Sequence, residues 1–108
     1  MGIKTEILTG SNSGQLKTEI MFFVASARSR GAELFRIKIK PLFDEDREAR
    51  RQDSVARILR TLKQRGVIQL FVHSSKFDSS STEIEYLKNK YPNITKIEND
   101  GFFFLVKP

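Results

Sequence analysis

Hydrophobic and polar residues change their spacing several times along this 108-residue chain. In some segments apolar residues recur every three or four positions, as on one face of an α-helix, and short apolar runs typical of strands lie between them. The pattern predicts helices at about 14–30, 44–65 and 80–91, and strands at about 3–9, 33–40, 67–73, 94–98 and 102–106. The order β-α-β-α-β-α-β-β predicts a single α/β domain over residues 1–108, with a mostly parallel sheet and right-handed crossovers.

Local signals refine this outline. Asn12 with Gln15 three residues later predicts a capped start for the first helix, and Ser80 with Glu83 predicts the same for the third. The nearly continuous apolar run of 67–73 predicts a strand in the centre of the sheet. The dipeptide Asp-Gly at 100–101 predicts a tight turn, so the last two strands are expected to form a C-terminal β-hairpin.

Strand 33–40 alternates apolar and basic residues. One face carries Phe35, Ile37 and Ile39, and the other carries Arg36, Lys38 and Lys40 about 6 to 7 Å apart. Such a basic stripe is suited to the phosphates of a nucleic-acid strand. If the C-terminal hairpin turns Phe103 to the same side, its ring is expected to stack on a base. The alternative explanation is a charged edge strand, where lysine discourages aggregation.

The distribution of charge strengthens interest in this region. The net charge is +6, and residues 28–65 hold twelve Lys or Arg against six Asp or Glu, whereas the rest of the chain is balanced. All nine arginines lie in that segment. Arginine suits bidentate contacts with phosphate or carboxylate, so the second helix is expected to extend the positive surface through Arg47, Arg50, Arg51, Arg57 and Arg60. The alternatives are an ordinary solvated helix face and a surface for an acidic protein partner.

A second candidate site lies where the carboxyl ends of the strands gather, because open parallel sheets bind ligands beyond those ends. Hydroxyl, amide and basic side chains there suggest a phosphate or nucleotide site, either for binding alone or for catalysis, made of Ser11, Asn12, Ser13, His73, Ser74, Ser75 and Lys76. The sequence has neither the G-K-[ST] ending of a P-loop nor the glycine spacing of a dinucleotide motif. Ordinary capping loops are the alternative explanation.

No catalytic chemistry is evident in the sequence. The chain has no cysteine and a single histidine, and it lacks a G-x-S-x-G motif. We therefore expect no catalytic residues, no metal and no cofactor. The absence of a signal-like segment and of a long apolar run predicts a cytoplasmic protein that does not contact the membrane. The sequence thus favours a non-catalytic domain that binds RNA or single-stranded DNA.

Overall fold

The computed structural model describes residues 4–31, 34–39, 45–73, 81–92 and 101–106. Within these ranges the chain forms β1 (Lys4–Leu8), α1 (Ser13–Ser29), β2 (Leu34–Ile39), α2 (Glu45–Gln64), β3 (Ile68–His73), α3 (Thr82–Lys90) and β4 (Phe102–Val106). This order confirms the predicted alternation of strands and helices. The protein is a small α/β structure with a mixed sheet.

The four described strands lie in the order β1-β2-β4-β3. β1 pairs with β2 in parallel, and β4 pairs antiparallel with both β2 and β3. Three strands therefore share one direction, as the prediction of a mostly parallel sheet requires, and β4 is the exception. The predicted strand 94–98 lies outside the described residues. In place of a neighbouring hairpin strand, β4 has β2 on one side and β3 on the other.

The position of β3 corrects another prediction. The apolar run at 67–73 was expected in the centre of the sheet, yet β3 lies at the edge of the described sheet and β4 takes a central place. The run is apolar because both faces of β3 are covered, one by α2 and the other by α3. Burial on two faces produces the same sequence pattern whether a strand is central or not.

Helices α1 and α2 lie together on one side of the sheet, called here the two-helix face. The two crossovers advance in the same direction across the strand order, and right-handed connections then place both helices on the same side. The apolar stripes of these helices meet inward-facing residues of the strands in one core. This core includes Leu16, Ile20, Val24, Ala27, Val55, Leu59, Leu62, Phe35, Ile37, Phe102 and Phe104.

Helix α3 covers part of the opposite side, called here the one-helix face. Ile84 and Leu87 pack in a second core with apolar residues of the sheet, which are Leu34, Leu70, Val72, Phe103 and Leu105. The Oγ atom of Ser81 caps α3 by accepting a hydrogen bond from the amide of Ile84 at 3.2 Å, so the cap is one residue later than predicted. At α1, Asn12 is the N-cap and Gln15 completes it, as expected.

The β1–β2 half of the one-helix face carries Thr5, Ile7, Arg36 and Lys38. The parallel register places Thr5 beside Arg36 and Ile7 beside Lys38. Ile7 belongs to neither of the two cores that the described helices form with the sheet, and its side chain is 55% exposed. Among the described helices, none is both long and apolar enough to span a bilayer.

Candidate nucleic-acid interface

The predicted basic stripe lies on the part of the sheet just described. Alternation along β2 sends Phe35 and Ile37 to the two-helix face and Arg36 and Lys38 to the other side, where both basic side chains are half-buried. Because β2 pairs with β1 on one side and β4 on the other, it is an interior strand. The explanation of Arg36 and Lys38 as edge-strand charges is therefore wrong. Lys40 lies outside the described residues.

Arg36 is held in place by two contacts. Its Nε atom donates a hydrogen bond to Thr5 Oγ1 at 3.0 Å, and its Cζ atom lies 5.7 Å from the centre of the Phe103 ring. A guanidinium over an aromatic face gains about 0.5 to 2 kcal/mol, depending on its exposure. These contacts reduce the side-chain entropy that Arg36 would lose on binding an anion. The contact between Thr5 and Arg36 could not be predicted from the sequence, because it depends on the β1–β2 register.

Phe103 does not have the role predicted for it. Phe103 lies opposite Arg36 in the β2–β4 register, and its side chain projects to the same side of the sheet. That side chain is 0% exposed. The ring lies in the core beneath α3 and beside the Arg36 guanidinium. Because the side chain is fully buried in this core, no face of the Phe103 ring is open to a base. The exposed apolar side chain next to the two cations is that of Ile7.

The arginines of α2 lie on the other side of the sheet from this stripe. Arg50, Arg57 and Arg60 are exposed, and α2 packs on the two-helix face. The side chain of Arg47 is outside the described part. The helix arginines were expected to extend the positive field of the strand cations, and the sheet separates the two groups. The helix arginines therefore contribute to the long-range field and do not line the same surface as Arg36 and Lys38.

Arg51 is a structural residue and not an exposed cation as predicted. Its side chain is 4% exposed, and its Nε atom donates a hydrogen bond to the carbonyl oxygen of Gly10 at 3.1 Å. This bond ties α2 to the loop after β1. The burial of Arg51 could have been predicted from the sequence. Arg51 precedes Val55 by four positions and therefore lies on the same face of α2 as the buried stripe.

The described residues of the second candidate site do not come together. Ser11, Asn12 and Ser13 follow β1, whereas His73 ends β3, and two strands lie between, so the two groups are roughly 14 Å apart across the sheet. A ligand crevice normally forms where successive connections pass to opposite faces, and here both parallel crossovers share one face. Ser74, Ser75 and Lys76 lie outside the described residues.

The loop after β1 is largely explained by helix capping. Asn12 Oδ1 accepts a hydrogen bond from the amide of Gln15 at 3.0 Å, while Gln15 Oε1 accepts one from the amide of Ser11 at 2.8 Å. The Ser11 hydroxyl also donates to Gln15 Oε1. A cavity of about 260 Å³ adjoins this turn, between α1 and the start of α2. The polar groups at its rim therefore serve the fold.

His73 borders a larger open cavity of about 540 Å³ at the β3 edge. Its ring centre lies 4.5 Å from that of Phe102, and the cavity wall also carries Arg60 and the ion pair between Lys63 and Glu83. The Nζ–Oε1 distance of this pair is 3.1 Å. No group of three or more His, Asp or Glu side chains with the geometry of a metal site occurs in the described ranges.

Glu83 provides a pH-dependent prediction. A hydrogen bond from its own backbone amide, and then the ammonium of Lys63, lower the pKa of the Glu83 carboxyl in the folded protein. A lowered pKa contributes stability above the unfolded-state value of about 4.3, and that contribution is lost as the pH falls through the folded-state value. We expect Glu83→Gln to be less stable than the wild type at pH 7, by less than about 1 kcal/mol because the pair is exposed. The difference should disappear in strong acid. Urea unfolding of both proteins, from pH 7 down to strong acid, measures this difference in stability. A difference that does not depend on pH would show that the charge of Glu83 is not its cause.

Comparison of the chain with models of protein families, with curated proteins and with solved structures gives no match. The functional conclusion therefore depends on the geometry of the β1–β2 surface and on the physical chemistry of its residues.

Proposed function

We propose that this protein binds single-stranded nucleic acid, RNA or single-stranded DNA, on the basic strand face formed by Thr5, Ile7, Arg36 and Lys38. The observation that carries the proposal is that two cations on the same face of an interior strand, Arg36 and Lys38, are only half-buried and lie beside the exposed side chain of Ile7. An interior strand covered on both sides would normally carry apolar residues there. Basic residues that remain partly accessible at these positions favour a role in binding.

The mechanism follows from the shape of the surface. Arg36, held by Thr5 and Phe103, presents a planar guanidinium that suits bidentate contact with a phosphate. Lys38 lies two residues along the same strand, about 7 Å away, and offers a second cation to the next part of the backbone. Ile7 lies beside Lys38 and provides apolar contact for a sugar or base. All of these contacts are independent of base identity.

The same proposal assigns no catalysis and no cofactor to the chain. The exposed arginines of α2 raise the positive potential and so increase the rate of association with a polyanion. They do not supply contacts on the basic strand face, because they project from the other side of the sheet. The cytoplasm, where RNA is abundant, is the proposed compartment.

The test compares two equal changes of charge on opposite sides of the sheet. Lys38→Glu alters the basic strand face, and Arg57→Glu alters the exposed side of α2. We expect Lys38→Glu to weaken binding of a labelled single-stranded oligonucleotide several-fold more than Arg57→Glu does. It should also reduce the slope of log affinity against log salt by about 1 per lost phosphate contact. Fluorescence anisotropy between about 50 and 200 mM salt provides both quantities.

Four other results would overturn the proposal. Equal losses in the two variants would mean that only the overall charge matters. No binding at about 50 mM salt, where screening is weak, would exclude a nucleic-acid surface. Thermal stabilisation by nucleotides but not by oligonucleotides would favour a phospho-ligand site, and recovery of a stable complex with an acidic protein would favour that partner. Circular dichroism of each variant verifies that the fold is retained.

A further inference from the structure

The two edges of the described sheet differ in how they are protected. At the β3 edge, Lys63 of α2 and Glu83 of α3 form an ion pair that connects the helices on the two faces, and the β3–β4 register is broken by an irregularity between Ile68 and Leu70. Such features hinder the addition of another strand. At the opposite edge, β1 pairs with β2 on one side, and none of the described strands lies on the other.

The most exposed large apolar side chains of the described residues lie on β1 and on the helix that follows it. Ile7 is 55% exposed on the one-helix face, and Phe22 of α1 is 68% exposed. Glu19, one helical turn before Phe22, accepts hydrogen bonds from the amides of Thr9 and Gly10 just after β1. Met21 borders α2 on the opposite flank of α1. Phe22 therefore lies on the flank of α1 nearer to β1.

We infer that the β1 edge pairs with the β1 edge of a second copy of this chain. A two-fold axis perpendicular to the sheet makes the two strands antiparallel and keeps the same face of each copy on the same side. The two four-stranded sheets then join into one. The free hydrogen-bonding edge that β1 presents in the described structure is satisfied by an identical edge, which is the simplest occupant of a self-complementary surface.

The charges of β1 select one register. Lys4 and Glu6 lie on the same face of the strand, with Nζ and Oε1 3.5 Å apart. When Thr5 lies opposite Thr5 of the second copy, Lys4 of each chain lies opposite Glu6 of the other, which gives two favourable cross-strand pairs. A register centred on Glu6 would place two carboxylates opposite each other, which is unfavourable. When two β1 strands pair in antiparallel orientation, the charged residues of one strand are thus complementary to those of the other.

The exposed apolar residues supply the rest of the interface. In the antiparallel arrangement both α1 helices lie on the same side of the joined sheet, and the exposed Phe22 is available for contact between them. Ile7 loses exposed surface on the other side of the sheet. A stable interface of ordinary size buries about 800 Å² on each partner, more than one short strand provides, so the α1 contact is required. The basic strand faces of the two copies become adjacent.

The experiment uses a pair of charge reversals that complement each other. The wild type is expected to have twice the monomer mass of 12.4 kDa by sedimentation equilibrium at about 10 to 100 µM. Lys4→Glu alone places like charges opposite each other across the two-fold axis, and so does Glu6→Lys alone, so each variant is expected to be monomeric. A mixture of the two variants is expected to form a dimer, because every acidic position of one chain then faces a basic position of the other.

Dimerisation of the mixture, with monomers of each variant alone, cannot arise from the Lys4–Glu6 contact within one chain. Phe22→Ser provides an independent variant and should weaken the dimer at least tenfold without altering the circular dichroism spectrum. A monomeric wild type would overturn the inference, and so would dimers in both single variants or a mixture that stays monomeric. Oligonucleotide binding by Lys38→Glu is measured separately, so failure of the dimer and failure of the proposed function are distinguishable.

Discussion

Replacing Phe103 by alanine is expected to destabilise the protein by about 3 to 5 kcal/mol. The side chain is fully buried in the second core, and its ring also supports the Arg36 guanidinium at 5.7 Å. Truncation leaves a cavity beneath α3 that the packed sheet cannot fill. Because small domains have total stabilities of about 5 to 15 kcal/mol, this change alone is a large fraction of the whole. Equilibrium unfolding in urea measures it.

Tyr86→Ala is the matched control for this prediction. Tyr86 lies on α3 and is 42% exposed, with Lys90 5.6 Å from its ring centre. Its loss is expected to change the stability by less than about 1 kcal/mol. If Phe103→Ala were instead as stable as Tyr86→Ala and lost oligonucleotide binding, Phe103 would be an accessible stacking residue and its position in the core would be wrong.

Gly101→Ala is expected to destabilise the protein by about 2 to 4 kcal/mol, through strain and a steric clash. Gly101 has a φ of +128°, a conformation that residues with a Cβ atom rarely adopt. A methyl group at this position would also collide with the backbone carbonyl of Ile37 in β2. The Asp-Gly turn signal in the sequence correctly identified a glycine requirement, but the close approach to β2 arises from the insertion of β4.

Gly31→Ala separates the contribution of backbone strain from that of the steric clash. Gly31 also has a positive φ, +67°, but no atom lies within 4 Å of the position that its Cβ would occupy. We expect the strained backbone conformation alone to lower the free energy of unfolding of this variant, by about 1 to 2 kcal/mol. Melting temperatures should therefore fall more for Gly101→Ala than for Gly31→Ala, by roughly 4 to 8 °C for each additional kcal/mol. Equal decreases would show that β2 yields to the added methyl group and that the clash is unimportant.

The separation of the two basic regions affects how the charge of this protein is interpreted. An arginine-rich segment of sequence predicts one positive surface, but β2 and α2 present their cations on opposite sides of the sheet. The more numerous α2 arginines are solvent-exposed helix residues, apart from Arg51, which is buried, and Arg47, whose side chain is outside the described part. The two cations of β2 are fewer, and both are half-buried on an interior strand, on the side of the sheet away from α2.

The sequence by itself determined the local elements of this protein. Apolar spacing identified the buried stripes of α1 and α2, and the Asn12–Gln15 cap and the glycine at 101 were recognisable from adjacent residues. These features depend on helix and strand periods and on hydrogen bonds between residues close in the chain. For that reason a single sequence was sufficient to predict the order of strands and helices.

The tertiary structure alone decided where β4 lies, and most differences follow from it. Insertion of β4 between β2 and β3 moved β3 to the edge of the described sheet and placed Phe103 in the core beneath α3. It also placed the two groups of the predicted phosphate site at opposite edges. The strand order is selected by the free energy of covering both faces of the sheet, which depends on contacts between residues distant in the chain. The hydrophobic period of one strand does not indicate which strands lie beside it in the sheet.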